Sequence, residues 1–380
     1  MSAREEKKLL TVEVLEFLAQ VPDPRVERTR AHPLVNILVI ALLAVLCGAD
    51  SFTGIAAFGR SKRDFLATFL DLESGIPSHD TFGRVFAVLD PSALQEAFRL
   101  WVASLVEATK GEVVAIDGKA LRRSFRDAGK KGFIHMVSAW GVRLGLVLGQ
   151  VQTEQKSNEI TAIPRLLELL QLKGAVVTID AAGCQKEIAA KIVNRGADYM
   201  LAVKDNQPTL HADIQAAFAA AADDPNFDDI VDFAETKDRG HGRSEHRRCH
   251  VCHDLSAITR KSDWAKLGSV VMVEVDRTVG EKTSTEQRFY ISSQKGLRAK
   301  TALSTIRSHW GIENGLHWVL DVAFREDDCR VRAGNAAENF AVLRHFTMNL
   351  LKNAPSKLGI KTRRLQAGWD HEFLLRTLCG

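Results

Sequence analysis

The feature that most constrains the fold is a pair of short apolar runs that each end in an aspartate. These runs are VVAID at 113–117 and VVTID at 176–180, and a third apolar run, DYMLAV, follows at 198–203. Short runs rich in β-branched residues are typical of strands buried on both faces of a parallel sheet. Helical patterns precede the second and third runs, and helical crossovers make consecutive strands parallel. We therefore expect Asp117 and Asp180 at the carboxyl ends of neighbouring strands, where open α/β sheets bind ligands.

The segments around these runs predict the rest of the sheet. HMVSAW at 135–140 and LGLVLGQV at 144–151 are separated by GVR, which favours a hairpin. The order is then strand, hairpin, helix, strand, helix, strand. This order predicts the α/β class, with a mixed sheet that has a parallel centre and flanking helices.

Two further segments complete the predicted domain organisation. Residues 1–110 have helical patterns throughout and predict an all-α N-terminal domain. Residues 111–380 predict an α/β domain, with a β-rich insertion at about 207–300. The long apolar run at 34–49 contains Asn36 and falls short of the roughly 20 residues that a membrane span needs. We expect it to form a buried core helix.

Composition excludes few function classes. Apolar residues make up 46% of the chain and the net charge is +4, so any nucleic-acid surface has to be local. The six cysteines are scattered, which predicts a reducing, cytoplasmic environment rather than a disulfide framework. The N-terminal residues lack the apolar core of a secretory signal. The CHVCH run at 249–253 has zinc-ligand residue types, but its alternation favours a strand.

A later segment, IRSHWGIENGLHWVLDVAFREDD at 306–328, has apolar residues at three- and four-residue spacing. This spacing predicts a helix packed along one side. His309, Glu313 and His317 are one turn apart and share a face. A carboxylate on so apolar a helix is expected to be paired or bound to a cation, although a solvated glutamate is the simpler alternative. We expect the tryptophans of this segment, Trp310 and Trp318, to lie in the core.

The three carboxylates Asp117, Asp180 and Glu313 form an oxygen-rich set. Hard divalent cations such as Mg²⁺ and Mn²⁺ prefer oxygen ligands. Two such ions about 4 Å apart activate an attacking hydroxyl and stabilise the departing oxygen of a phosphodiester. A helix packed on the sheet can bring Glu313 to the strand ends, so the pattern predicts phosphodiester chemistry.

Several blocks of the chain carry a family resemblance. The blocks are AIDGKALRRS, TIDAAGCQKEIA, YMLAVKDNQPTL, RGHGRSEHRR and HWGIENGLHWVLDVAFREDDCR. They resemble, in the same order, the signature blocks of the H repeat-associated insertion-sequence transposases, which belong to the DDE class and have a ribonuclease-H-like catalytic fold. The resemblance extends over nearly the whole chain. It implies that Asp117, Asp180 and Glu313 are the catalytic residues and the ligands of two Mg²⁺ or Mn²⁺ ions.

The resemblance also implies the reaction and the partners. The expected reaction is hydrolysis of a strand at the transposon end, followed by attack of the freed 3′-hydroxyl on target DNA. Double-stranded DNA is the expected partner, a homodimer is expected in the active complex, and no membrane is involved. Residues 111–380 are then the catalytic domain, and the helical domain at 1–110 is expected to serve DNA-end binding or assembly. Two other functions stay open: a catalytically retired, transposase-derived DNA-binding protein, and a metal-dependent nuclease without strand transfer.

Basic and amide side chains near the carboxylates are candidates for DNA contact. The candidates are Lys119, Arg122 and Arg123 after the first aspartate, Lys204, Asn206 and Gln207 after the third strand, and Arg239, His241 and Arg243 in the insertion. A solvated loop and a simple turn before Pro208 are the alternatives for the first two groups.

One signature departs from that of related transposases. Relatives with a β-rich insertion carry Tyr, Arg, Glu and Lys around the glutamate. Here Ile306, His309 and Leu320 stand in place of the Tyr, Arg and Lys. We expect Arg307, His309 and His317 to make the DNA contacts instead.

Overall fold

The computed structural model describes residues 12–106, 109–127, 130–153, 159–224, 230–240 and 242–379. Within these ranges it describes the side chains of all residues except 12, 13, 29, 122–133 and 379.

The N-terminal part is helical, as predicted. Its helices are α1 Val12–Ala19, α2 Leu34–Leu46, α3 Phe52–Ser61, α4 Arg63–Leu66, α5 His79–Val88 and α6 Pro91–Leu105. Two of these helices have a serine at the N-cap. The hydroxyl of Ser51 accepts a hydrogen bond from the amide of Gly54 at 3.2 Å, and that of Ser78 accepts one from the amide of Thr81 at 3.2 Å. Helix α2 lies in the core, with 12 of its 13 residues buried. Among the helices that the structure describes, none combines the length and the apolar character needed to cross a bilayer.

A nine-stranded sheet forms the centre of the molecule. The strands are β1 Val113–Asp127, β2 Lys130–Gly141, β3 Leu146–Thr153, β4 Val176–Ile179, β5 Asp198–Val203, β6 Val231–Gly240, β7 Arg243–Cys252, β8 Ser269–Val279 and β9 Lys282–Ser292. Their order is β3-β2-β1-β4-β5-β9-β8-β7-β6. Strands β1, β4 and β5 pair in parallel. The predicted mixed, ribonuclease-H-like sheet with a parallel centre is therefore confirmed.

Strand β1 differs from the prediction in length. It continues to Asp127 and pairs with β2 beyond Asp117, so Asp117 is not its last residue. The pairing of β1 with β4 does stop at Ile116 and Ile179. Asp117 and Asp180 therefore follow the last paired residues of two neighbouring parallel strands, which is the placement that the site needs.

The β-rich segment is continuous with the central sheet. Strand β9 pairs antiparallel with β5, from Met200–Ser292 to Val203–Phe289, and β8, β7 and β6 follow outward. The CHVCH run lies largely in β7, where Cys249 and Cys252 are buried, as the alternation predicted. The domain and insertion boundaries stay predictions.

The helices that lie between and after the strands pack on the sheet, and the last of them also pack on the N-terminal helices. The helices around and after the sheet are α7 Glu159–Leu169, α8 Lys186–Asn194, α9 Pro208–Ala222, α10 Ala299–His309, α11 Trp318–Phe324, α12 Ala336–Asn353, α13 Ile360–Trp369 and α14 His371–Cys379. A π-helix, Glu313–His317, lies between α10 and α11. Asn339 of α12 donates to the carbonyl of Phe86 at 2.9 Å, and Arg364 of α13 donates to the carbonyl of Val45 at 2.7 Å. The C-terminal and N-terminal helices thus share one core.

Candidate active site

A cavity of about 300 Å³ opens at the edge of the sheet where β4 ends. Asp117, Asp180 and Glu313 all line it, together with His309. The three carboxylates come from β1, from the turn after β4 and from the π-helix, which are far apart in the sequence. The structure therefore brings together the three side chains that the sequence selected.

Asp117 is the most enclosed of the three carboxylates, with a side chain 31% exposed against 56% for Glu313. Burial raises its pKa above the usual value, and the nearby His317 opposes that rise. The Asp117 Oδ2 atom lies 3.5 Å from His317 Nδ1. A partly buried carboxylate with a raised pKa binds protons more readily than an exposed one.

Asp180 is exposed and its carboxylate faces a short turn. One of its oxygens accepts hydrogen bonds from the amides of Ala182 at 3.1 Å and Gly183 at 3.4 Å. A Cβ at Gly183 would overlap the side chain of Ile179. The glycine therefore allows the chain to turn tightly after β4 and to fix the aspartate at the cavity.

The loop after β5 supports the Asp180 turn. Asn206 donates to the carbonyl of Ala181 at 2.7 Å, and Gln207 donates to the carbonyl of Cys184 at 2.9 Å. Both residues were predicted to contact DNA. The structure places their amide groups against the backbone of the turn, a role that the sequence pattern did not reveal.

The π-helix places Glu313 beside His317. Glu313 Oε2 lies 3.3 Å from His317 Nδ1. Gly315 faces the indole of Trp140 on β2, and a Cβ on this glycine would lie 2.8 Å from the ring. Single π-helical turns are rare and occur frequently at functional sites. The close approach of Gly315 to Trp140 therefore fixes the segment that carries the third carboxylate.

His309 lies at the end of α10 and its Nδ1 is 3.0 Å from the hydroxyl of Thr178 on β4. Burial lowers its pKa, although Asp117 and Asp180 oppose that effect. A lowered pKa means that the imidazole is neutral at pH 7. His309 therefore supplies a hydrogen-bonding group at the cavity rather than a fixed positive charge.

The donor set fits a divalent cation. One ligand atom each from Asp117, Glu313 and His317 lie within 4.8 Å of one another. The Nε2 atom of His317 is buried and has no hydrogen-bond partner among the described residues. Two oxygens and one nitrogen at this spacing match the first coordination sphere of a small divalent ion, and Asp180 is available on the same cavity.

Lys119 lies behind this site rather than on an open surface. Its side chain is 11% exposed and its ammonium contacts the carboxylates of Asp321, Glu326 and Asp327. The prediction that Lys119 contacts a DNA phosphate stays a prediction, and the geometry favours an internal ionic role.

A second cavity of about 560 Å³ adjoins the first, and we call it the arginine groove. It lies between strands β7–β9 and α10, and its arginines are Arg243, Arg247, Arg277, Arg288 and Arg307. Arg243 and Arg307 were predicted DNA contacts. Arg277 and Arg288 were not among the candidates, because their approach to this groove depends on the register of β8 and β9, which no local pattern indicates.

Carboxylates hold several of these arginines in place. Glu245 lies 3.3 Å from Arg243 and 3.0 Å from Arg277. Arg307 lies 3.0 Å from Asp238. The groove lining contains five arginines and two glutamates, Glu245 and Glu286, so its net charge is positive.

The remaining predicted contacts have mixed placements. Lys204 is exposed and lines the active-site cavity, and Arg239 is exposed near the end of β6. Arg122 and Arg123 lie on β1, but their side chains are outside the described part, and His241 is outside the described residues.

The expected core positions of two tryptophans are wrong. Trp310 is 53% exposed and Trp318 is 58% exposed. Trp310 lines both cavities, and the guanidinium of Arg288 lies 5.8 Å from its ring centroid. Helical spacing alone predicts core positions for both residues, and it does not show which neighbouring segments cover each side of the helix.

Comparison with known proteins identifies the family. A model described as "Transposase DDE domain" matches residues 108–350, and one described as "DDE_Tnp_1-associated" matches residues 15–102. The chain is 38% identical to "H repeat-associated putative transposase YhhI" of Escherichia coli K12, covering 97% of this chain and 98% of that protein. It is 42% identical to "Putative transposase YncI" of Escherichia coli O157:H7, covering 97% and 94%.

A solved structure also aligns, that of the piggyBac transposase in a synaptic complex with hairpin DNA. Its TM-score is 0.45 at 11% identity, covering 97% of this chain and 80% of that one. The two family models together span most of the helical part and the whole central sheet. The chain belongs to the DDE transposase family, among the H repeat-associated transposases.

Proposed function

We propose that this protein is an active insertion-sequence transposase that uses Mg²⁺ or Mn²⁺, with two ions at the site. It cleaves DNA at the element's ends and joins the resulting 3′-hydroxyl to target DNA. The observation that carries the proposal is the convergence of Asp117, Asp180 and Glu313 on one cavity. Asp117 and Asp180 are 63 residues apart (180 − 117) and Asp180 and Glu313 are 133 apart (313 − 180), so their meeting follows from the fold and not from sequence proximity.

The three carboxylates would hold the metal ions. When bound, such ions polarise the attacking oxygen and stabilise charge on the departing oxygen of the phosphodiester. Asp180 is fixed by two backbone amides and Glu313 by the π-helix. Because the chain holds its ligands in advance, little reorganisation is needed when DNA and metal bind.

The basic side chains would position the DNA. The arginine groove shares Arg288 and Trp310 with the active-site cavity, so a strand that leaves the carboxylates enters it directly. Arginine forms paired hydrogen bonds with phosphate oxygens. The exposed ring of Trp310 is available to stack on a base. Lys204 and Arg239 lie on accessible surface and extend the same electrostatic footprint.

The test uses the purified full chain, Mg²⁺ and a DNA duplex that carries the gene's own flanking sequences. New 3′-hydroxyl ends and joined products are mapped for the unmodified protein, for Asp180→Asn and for the matched control Asp205→Asn, which changes an exposed aspartate. We expect boundary cuts and joining that Asp180→Asn loses and Asp205→Asn keeps. Cuts without joining would indicate a nuclease, and binding without cuts in Mg²⁺ or Mn²⁺ would indicate a retired, DNA-binding protein. A synaptic complex of about two chains is expected by light scattering, because two ends are processed together.

A further inference from the structure

The carboxylates of the active site share their space with a buried histidine. His317 is 5% exposed, and its Nδ1 faces both Asp117 Oδ2 at 3.5 Å and Glu313 Oε2 at 3.3 Å. Two ligands of one octahedral ion with bonds of about 2.1 Å lie roughly 3 to 4 Å apart. The observed spacing therefore fits three ligands around one ion before any side chain moves.

We propose that His317 is a nitrogen ligand of this metal site, and that the resulting ligand set prefers a divalent transition-metal ion over Mg²⁺. This inference rests on the proposed function, since it concerns the ion held by Asp117 and Glu313. Neutral imidazole is a good ligand for first-row transition metals, whereas Mg²⁺ prefers an all-oxygen environment. One nitrogen in place of an oxygen therefore favours Mn²⁺ relative to Mg²⁺.

The far side of the His317 ring supports this assignment. If Nδ1 binds the metal, Nε2 carries the proton and needs an acceptor. His317 Nε2 is buried without a partner among the described residues, and so is Nδ1 of the buried His345 on α12. The two rings are close enough for His317 to affect the pKa of His345. A hydrogen bond from His317 Nε2–H to His345 Nδ1 would complete the contact that metal-bound histidines normally make.

A different role for His317 makes the opposite prediction. A protonated imidazole between Asp117 and Glu313 would act as an internal cation that the metal has to displace. Nε2 carries a proton in both roles, but a buried N–H without an acceptor is more costly on a charged ring than on a neutral one. Removing such a histidine would strengthen metal binding, whereas removing a ligand weakens it. The sign of the change separates the two roles.

The experiment measures Mn²⁺ and Mg²⁺ binding to the full chain without DNA. Pulsed EPR of bound Mn²⁺ detects a directly coordinated nitrogen, and labelling the protein with ¹⁵N-histidine changes that signal. We expect a histidine nitrogen signal in the unmodified protein and its loss in His317→Ala. We also expect Mn²⁺ affinity to fall about 10-fold or more in His317→Ala and Mg²⁺ affinity to fall much less. The control His253→Ala, which removes an exposed histidine, should keep the signal and both affinities.

The unmodified protein alone gives a result even if His317→Ala fails to fold. Mn²⁺ binding that depends on Asp117 and Glu313 but shows no nitrogen signal overturns the histidine ligand and leaves the proposed function intact. Tighter binding in His317→Ala overturns it in favour of the internal cation. If neither Mn²⁺ nor Mg²⁺ binds, the result contradicts the metal site itself and with it the proposed function.

Discussion

The ammonium of Lys119 on β1 is bonded to the carboxylate of Asp321 on α11. Lys119 is two residues beyond Asp117, and Asp321 is one turn beyond His317. The contact therefore joins the strand that carries Asp117 to the helix that follows Glu313. Glu326 adds a second carboxylate, 3.4 Å from Lys119 and 3.5 Å from Arg344 of α12.

Lys119→Met should destabilise the protein by about 3 kcal/mol, because the buried Glu326 keeps only Arg344 as a cation and Asp321 and Asp327 lose theirs. Denaturant unfolding measures this change. Lys300→Met is the matched control, since Lys300 is exposed on α10, and it should stay within about 0.5 kcal/mol. Unchanged stability together with weaker DNA binding in Lys119→Met would show instead that Lys119 contacts phosphate.

Gly315→Ala should impair the active site more than the fold. The new methyl group would lie 2.8 Å from the indole of Trp140, so the π-helix has to shift and carry Glu313 with it. Misplacement of about 1 Å costs on the order of 10²-fold in rate, which a DNA-cleavage assay at fixed Mg²⁺ measures. In Gly311→Ala the nearest atom, a methyl of Val142, lies 3.4 Å away, so we expect near-normal cleavage. Equal losses in the two variants would contradict the role of the Trp140 contact.

Asn206→Ala should lower the cleavage rate by about 10-fold without a matching loss of DNA affinity. The reason is that Asn206 supports the backbone of the Asp180 turn through Ala181, and its loss leaves that turn less well held. Single-turnover cleavage and DNA titration report the two quantities separately. The neighbouring Asp205→Ala removes an exposed side chain and should change neither. Weaker DNA binding with a normal rate would support the original prediction of a DNA contact.

His345 should make the protein less stable as the pH falls. Burial lowers its pKa from 6.5 to about 3, with smaller contributions from His317, Arg344 and Lys119. The unfolded chain therefore binds a proton near pH 6.5 that the folded chain does not. Stability from the neutral ring is complete above pH 6.5 and is lost at about 1.4 kcal/mol per unit as the pH falls toward 3.

The comparison of unmodified protein with His345→Gln isolates this effect. Between pH 7.5 and pH 5, the free energy of unfolding should fall by about 2 kcal/mol more in the unmodified protein than in the variant. The carboxylates contribute equally to both proteins and cancel in the difference. Parallel pH profiles would mean that His345 keeps an ordinary pKa in the folded state.

The sequence predicted those parts of the fold that depend on local pattern. The apolar runs that end at Asp117 and Asp180 specify buried strands, and the hairpin and helix patterns then predict a mixed sheet with a parallel centre. Glu313 was selected because a carboxylate on an apolar helix requires a partner. These are properties of short segments, and the structure places all three carboxylates on one cavity.

The parts that sequence could not predict depend on contacts between distant segments. Lys119 looks like a member of a basic run, and only the position of α11 shows that it faces Asp321. Arg277 and Arg288 lie on adjacent strands, and only the pairing of β8 with β9 and the packing of α10 bring them to one groove. Trp310 has helical spacing, but the turn before the π-helix exposes it.

The core that the first and last helices share has a consequence for synthesis on the ribosome. Asn339 and Phe86 are separated by 253 residues, and Arg364 and Val45 by 319. Contacts between residues so far apart in the sequence are slow to form. The first helices therefore cannot complete their packing until the C-terminal helices have left the exit tunnel. A gene copy that loses its 3′ end therefore yields a nascent chain with an exposed apolar helix α2, a substrate for chaperones and proteases. Truncation would thus remove the whole protein and leave no free N-terminal fragment to compete for DNA.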